Sequence, residues 1–209
     1  TGRTLEMIGN FSRRGANLLA DMSEGVAGRY TKNEAGRWLN RGRQLVDTLP
    51  DLRSQALEAR AFSKWSPIED ENVAEYLYLR AVAIEHITVQ IRSISRLLFD
   101  MQQIPERTRR DVALSLSAAS DAISERIDQN FDKLSIANEL RATITKVRDS
   151  LIQQGALIGN DLLVKLLAIV SSLEIIADSL DETAAAITEV PHTTQKPGFK
   201  GWVKKLLSS

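Results

Sequence analysis

Residues 77–101, LYLRAVAIEHITVQIRSISRLLFDM, decide the fold class of this chain. Apolar side chains recur there at alternating spacings of three and four residues, namely Leu77, Ile84, Ile87, Ile91, Ile94, Leu98 and Met101. This spacing places them on one stripe of an α-helix, which another helix must cover. A second stripe follows Leu163, Leu166, Val170, Leu173, Ala177, Leu180, Ala184 and Ile187. The sequence therefore predicts packed helices.

The composition also indicates helices. The 209 residues include five prolines and eleven glycines, and aromatic residues make up 5%; the alternation typical of strands is missing. The 27 basic and 27 acidic residues cancel, so we expect no general attraction to nucleic acid. Cysteine is absent, which excludes disulfides and thiolate metal sites. The predicted class is all-α.

The interruptions of the apolar pattern divide the chain into an elongated antiparallel bundle of five to six long helices, residues 1–188, and a flexible C-terminal tail, residues 189–209. The first predicted helix covers about 4–26, and the second follows a Thr31–Glu34 capping box and kinks at Pro50. The third covers about 69–102. The last three begin at Pro105, at about 135, and at Asn160 or Asp161. Gly15 and Gly25 lie on the stripe of the first helix and predict the close approach of a neighbouring backbone.

Motifs for catalysis or for a cofactor are missing from the sequence. Only two histidines are present, and the single Glu-x-x-His string, residues 189–192, contains Pro191. No Gly-x-Ser-x-Gly or phosphate-binding glycine loop occurs. We therefore expect no enzyme activity, no cofactor and no catalytic or metal-binding residues.

Two arginines occupy positions where the stripes call for Leu or Ile, Arg80 in the third predicted helix and Arg126 in the fourth. A buried arginine requires a carboxylate or a polar pocket. One hypothesis is an anion site inside the bundle. The alternative is a snorkelling side chain, or an ion pair with a residue such as Asp121 or Glu139.

Three carboxylates form an acidic face on the last predicted helix, since Glu174, Asp178 and Asp181 follow a spacing of four and then three residues. This face could bind a basic partner or a divalent cation. The alternatives are a solvated face, or carboxylates that select a neighbouring helix.

The end of the chain is short, basic and amphipathic. Trp202, Lys204 and Lys205 lie beside Val203, Leu206 and Leu207. A tryptophan next to lysines suits the lipid headgroup region, so this tail could contact a membrane surface weakly. A disordered tail, or a tail docked on the bundle, is the alternative.

Three stretches carry a resemblance to a known family: residues 36–45 (GRWLNRGRQL), 63–67 (SKWSP) and 84–98 (IEHITVQIRSISRLL). Together they resemble the soluble C-terminal half of the aromatic acid exporter family, the fusaric-acid-resistance-like membrane proteins. The similarity covers about residues 5–188. The spaced arginine pair of that family would correspond to Arg92 and Arg96, which we place on the outer helix face, solvated or in inter-subunit pairs.

The resemblance implies a membrane-spanning region of about six hydrophobic segments before Thr1, a bundle on the cytoplasmic side of the cell membrane, and efflux of aromatic or other small organic acids. The bundle would assemble or regulate the transmembrane part, and we expect a homo-oligomer. The chain itself begins without Met, and its longest stretch free of charged residues, 150–160, is shorter than the ~20 residues of a membrane span. The alternative is a free-standing interaction or sensor bundle that binds a protein or an anion through Arg80 and Arg126.

Overall fold

The computed structural model describes residues 2–65, 71–101, 103–128 and 136–188, without the side chains of residues 126–128, 136 and 183–188. These ranges contain helices and no strand, which confirms the all-α class. The helices are α1 (Gly2–Ala27), α2 (Lys32–Asp47), α3 (Leu49–Ser63), α4 (Glu71–Asp100), α5 (Glu106–Asp128), α6 (Ile136–Ile158) and α7 (Asn160–Thr188). The tail, residues 189–209, lies outside the described residues.

The second predicted helix is divided into α2 and α3 at Thr48. The Thr48 hydroxyl donates to the carbonyl oxygens of Gln44 and Leu45, at 3.1 and 3.0 Å, and Thr48 closes α2. Pro50 lies in the first turn of α3, where its missing N–H leaves no helical hydrogen bond unmade. The expectation of one helix kinked at Pro50 therefore needs correction, because the break comes two residues earlier.

The helices form one bundle in which α1 packs mainly on α5 and α4 packs mainly on α7. α2 and α3 follow one another along α4, and α6 packs on both α5 and α7. Helices α1 and α5 are antiparallel, since the Ser23 hydroxyl donates to the Ala113 carbonyl and the Ser120 hydroxyl donates to the Ala16 carbonyl.

The predicted apolar stripes form the core. All the α4 stripe residues from Leu77 to Leu98, and Met101 after the helix, are buried. On α7 the stripe is buried from Leu166 to Leu180, whereas Leu163 is partly buried. Because each fully buried Leu or Ile stabilises the fold by roughly 1.5–3 kcal/mol, these stripes dominate the stability of the bundle.

Glycines allow close helix packing, but at Gly15 and Gly25 the neighbour is a side chain. A Cβ added at Gly15 would lie 2.9 Å from Ile91 Cδ1, and one at Gly25 would overlap the ring of Trp38. The expected approach of a backbone occurs instead at Gly42, where a Cβ would lie 3.2 Å from Arg92 Cα. The prediction for Gly15 and Gly25 was wrong, because a side chain and not a backbone lies against each of them.

Three connections lie together at one end of the bundle, which we call the turn end: the α1–α2 turn, the α4–α5 connection and the α6–α7 turn. Tyr30 Oη donates to the Leu98 carbonyl at 2.7 Å, and Thr108 Oγ1 donates to Gln154 Oε1 at 3.3 Å. Gly159 forms the α6–α7 turn with a left-handed φ of 84°, which favours glycine.

Candidate functional site

Arg80 is buried in α4, with 6% of the residue exposed. It forms no ion pair with a carboxylate among the described residues, and its guanidinium carbon lies 5.6 Å from the centroid of the Tyr76 ring. Cation–π contact at this distance partly compensates the cation for lost water. The backbone of Arg126 belongs to α5, and its side chain lies outside the described residues.

A second buried arginine, Arg109 of α5, was not predicted from the sequence. It is 8% exposed, and its Nε finds no hydrogen-bond partner in the described part of the chain. Arg109 precedes Val112 by three residues and Leu116 by seven, so it lies on the apolar stripe of that helix. That spacing is the signal by which the sequence could have identified it.

The predicted acidic face pairs with arginines of α6. Arg141 Nη2 donates to Asp178 Oδ1 and to Asp181 Oδ2, both at 2.7 Å, and Arg148 forms an ion pair with Glu174. The hydrogen bonds that Arg141 donates, to Asp181 first and then to Asp178, raise the pKa of its guanidinium. The three carboxylates therefore hold a neighbouring helix of the same chain, which is one of the alternatives drawn from the sequence.

A similar pair of contacts joins α3 to α4. Arg53 binds Glu85 through two nitrogens, at 2.6 and 3.1 Å, and Arg60 Nε lies 2.5 Å from Glu75 Oε2. The Arg60 guanidinium also stacks 4.6 Å from the centroid of the Tyr78 ring. These side chains are partly exposed, from 23% for Glu85 to 60% for Arg53, so each pair contributes at most about 1 kcal/mol and mainly fixes which helix faces meet.

Exposed apolar side chains are unevenly distributed over the described helices. Among the side chains that the structure describes, no large exposed one lies on α1 or α2, and Leu114 is the one on α5. The other ten lie on α3 or just after it and on α4, α6 and α7: Leu57, Phe62, Trp65, Leu79, Val89, Ile152, Leu157, Val164, Leu167 and Ile175. Scattered exposed apolar residues are ordinary, but clustered ones mark interaction surfaces.

One group of these exposed side chains lies on α6 and α7. We call Ile152, Val164, Leu167 and Ile175 the α6–α7 patch. Two contacts show which residues of α6 and α7 lie side by side. A Cβ at Gly155 would lie 3.3 Å from Leu163, and Arg148 pairs with Glu174, so Ile152 lies level with about residues 166–170 of α7. Residues 150–173 contain only two charged residues, and these pair with each other, Lys165 Nζ lying 2.8 Å from Asp161 Oδ2.

The remaining predicted positions lie at the surface or outside the described residues. Arg92 and Arg96 are exposed, as expected, and Arg96 Nε lies 3.9 Å from Asp100 Oδ2. Trp202, Lys204 and Lys205 are outside the described residues. Within the described part of the chain, no three potential metal ligands come together.

The comparisons with known proteins add no relative: no protein-family model matches the chain, and no curated protein matches it. None of the described helices is both long enough and apolar enough to cross a membrane. The surface features of the bundle and the resemblance are therefore the basis for a functional hypothesis.

Proposed function

We propose that the bundle is the non-catalytic cytoplasmic domain of an exporter-like membrane protein for aromatic or other small organic acids. In this proposal it assembles or regulates the transmembrane part and forms a homo-oligomer. The observation that carries the proposal is the concentration of exposed apolar side chains on α3, α4, α6 and α7, because a domain that functions by attachment needs such faces.

Two of the three stretches that carry the resemblance meet in space, which supports the proposal further. Gly42, within residues 36–45, faces Arg92 and Ser95, within residues 84–98. The shorter stretch, 63–67, contains Trp65, which is 88% exposed after the end of α3. An exposed tryptophan beside Lys64 suits a contact with another polypeptide or with a headgroup region.

The test begins with the coding sequence around the 209 residues, in which we expect about six hydrophobic segments before Thr1. An initiator Met directly before Thr1 would contradict the proposal. Cells that lack the gene should then accumulate a labelled aromatic acid, and the full-length protein should restore efflux. A version without the bundle should remain in the membrane fraction but lose most of its efflux.

A second candidate, an anion-binding sensor module, is favoured by one observation, the burial of Arg80 without a carboxylate partner among the described residues. In that case benzoate or phosphate should raise the Tm of the protein, since a ligand that binds the folded state stabilises it. The shift should vanish in Arg80→Met with Arg126→Met and persist in the control Arg96→Met, which changes an exposed arginine. If neither anion shifts the Tm, the sensor function is wrong.

A further inference from the structure

We propose that the start of α5 binds a small oxyanion, a phosphate or a carboxylate group, between the Arg109 guanidinium and the free backbone N–H groups of the first helical turn. The site lies at the turn end of the bundle, whereas Arg80 lies in the first half of α4 and therefore towards the opposite end. The inference goes beyond the proposed function and does not depend on it.

Arg109 is a buried cation without a counter-charge among the described residues. The residue is 8% exposed, its Nε has no hydrogen-bond partner there, and the ion pair at this helix start joins its neighbour Arg110 to Glu106. Removing a guanidinium from water is costly unless an anion or several acceptors replace the water. An anion at this point would therefore be bound by a charge that the fold leaves uncompensated.

The backbone at the start of α5 also offers hydrogen-bond donors. The Arg109 N–H donates to the Pro105 carbonyl at 2.8 Å, so Pro105 occupies the capping position of this helix. The N–H groups of the next three residues have no acceptor within the helix, and proline has no side-chain acceptor with which to cap them. The start of α2 differs, because there the Thr31 hydroxyl accepts from the Glu34 N–H.

Arg109 can reach these donors from the buried side. Helical side chains tilt towards the start of their helix, and the four residues from Pro105 to Arg109 rise about 6 Å, a distance that an arginine spans. Glu106 and Arg107 are exposed, so the first turn is open to solvent on its other side. An oxyanion there can accept two parallel hydrogen bonds from the guanidinium and others from the backbone, as phosphate and carboxylate groups do at arginines and at helix starts.

The charges of the first turn favour an anion over a cation. Residues 106–110 (ERTRR) contain three guanidinium groups and one carboxylate, and that carboxylate, Glu106, is paired with Arg110. The positive end of the helix dipole lies at the same place and adds to the arginines, whereas helix starts are usually stabilised by acidic side chains. The turn therefore keeps a positive charge that an oxyanion neutralises.

The experiment measures the Tm of the 209-residue chain in sodium phosphate and in sodium benzoate, each against sodium chloride at the same ionic strength. An anion that binds the folded state stabilises it, so at about ten times its Kd the Tm should rise by about 3–5 °C. A rise with phosphate alone identifies a phosphate site, a rise with benzoate alone a carboxylate site, and a rise with both a general oxyanion site.

The variants assign the rise to Arg109. It should vanish in Arg109→Met, and it should shrink to a small part in Arg109→Lys, which keeps the charge but loses the planar fork. The matched control is Arg110→Met, which removes the neighbouring exposed arginine and should keep the rise, so it also reports any general effect of the salt. In chloride, Arg109→Met should be at least as stable as the wild type, because an apolar side chain replaces an uncompensated buried charge.

Three results would overturn the inference. The first is a wild-type Tm that neither salt raises. The second is a rise that persists in Arg109→Met, which places the anion elsewhere; if that rise vanishes in Arg80→Met with Arg126→Met, it belongs to the anion-binding sensor instead. The third is a large loss of Tm in Arg109→Met in chloride, which would show that the folded chain itself compensates the guanidinium.

Discussion

The α1–α2 and α6–α7 hairpins lie at the same end of the bundle, yet they cover their apolar residues to different extents. In the first, Trp38 is buried, and its ring lies 5.1 Å from that of Tyr30. The predicted capping box is present, since Glu34 N donates to Thr31 Oγ1 and Thr31 N donates to the Glu34 carboxylate. In the second, Ile152 and Leu157 are exposed.

The contrast shows that, of these two hairpins, only the α6–α7 hairpin leaves large apolar side chains exposed. In the α1–α2 hairpin, the Trp38 ring packs against Gly25, and the Tyr30 hydroxyl donates a hydrogen bond to the Leu98 carbonyl. The α6–α7 hairpin also uses a glycine, Gly155, but the side chain against it is Leu163, which is itself only partly buried. The apolar residues around Gly155 are thus left for another surface to cover.

The strongest test of the comparison is Gly25→Ala. The new methyl group overlaps the Trp38 ring. The cost of this overpacking exceeds the gain in helix propensity, so we expect a loss of about 1–2 kcal/mol in the free energy of unfolding. Urea unfolding followed by circular dichroism measures it. In a Trp38→Ala background the same substitution should cost nothing, because the obstructing ring is gone.

Gly9→Ala in the same helix is the matched control for this prediction. Its Cβ would lie 3.7 Å from Arg13, an ordinary contact, so the substitution should stabilise the protein by up to about 1 kcal/mol. If Gly25→Ala stabilised the protein as much as Gly9→Ala does, the Trp38 ring would not be held against Gly25.

Helix content was predictable from the sequence, whereas the surface left uncovered was not. The stripe that includes Leu166 and Leu173 gives the buried face of α7, and Gly159 with Asn160 gives its beginning. Periodicity within one helix does not tell how wide a face its neighbours cover, so Val164 could not be assigned to the surface. The break at Thr48 was missed because it depends on a hydroxyl that bonds to the preceding turn.

The candidate site was predictable in part for the same reason. The acidic spacing of Glu174, Asp178 and Asp181 is visible in the sequence, but their partners Arg141 and Arg148 belong to another helix. Long-range partners depend on how two helices are aligned, and a single sequence carries no direct record of that alignment. The Arg53–Glu85 and Arg60–Glu75 pairs between α3 and α4 were missed on the same grounds.

A smaller effect should follow from Tyr30→Phe, which removes the hydrogen bond to the Leu98 carbonyl. We expect a loss of about 1 kcal/mol near pH 7. Burial raises the pKa of Tyr30 to about 12, against 10.0 for an ordinary tyrosine. The unfolded chain therefore loses this proton first, and the wild type loses stability as the pH rises from 10 to 12.

The variant lacks this contribution, so its stability should fall less over that interval. Urea unfolding at pH 9, 10, 11 and 12 gives the free energy of unfolding of both proteins. Both contain Tyr76 and Tyr78, so the contributions of these two residues cancel in the difference. Parallel curves would show that Tyr30 ionises as freely in the folded state as in the unfolded one, and that the first hairpin is less closed than its contacts indicate.

The smallest effect is expected at the second hairpin, from Gly155→Ala. A Cβ there would lie 3.3 Å from Leu163 Cδ2, a tight contact that the flexible and partly exposed leucine can relieve by moving. The gain in helix propensity offsets that adjustment, so the free energy of unfolding should change by no more than about 0.5 kcal/mol. Urea unfolding at a concentration where the chain is monomeric separates this effect from oligomer formation. A loss as large as that of Gly25→Ala would mean that Leu163 cannot move aside, and that the surroundings of Gly155 are as rigid as those of Gly25.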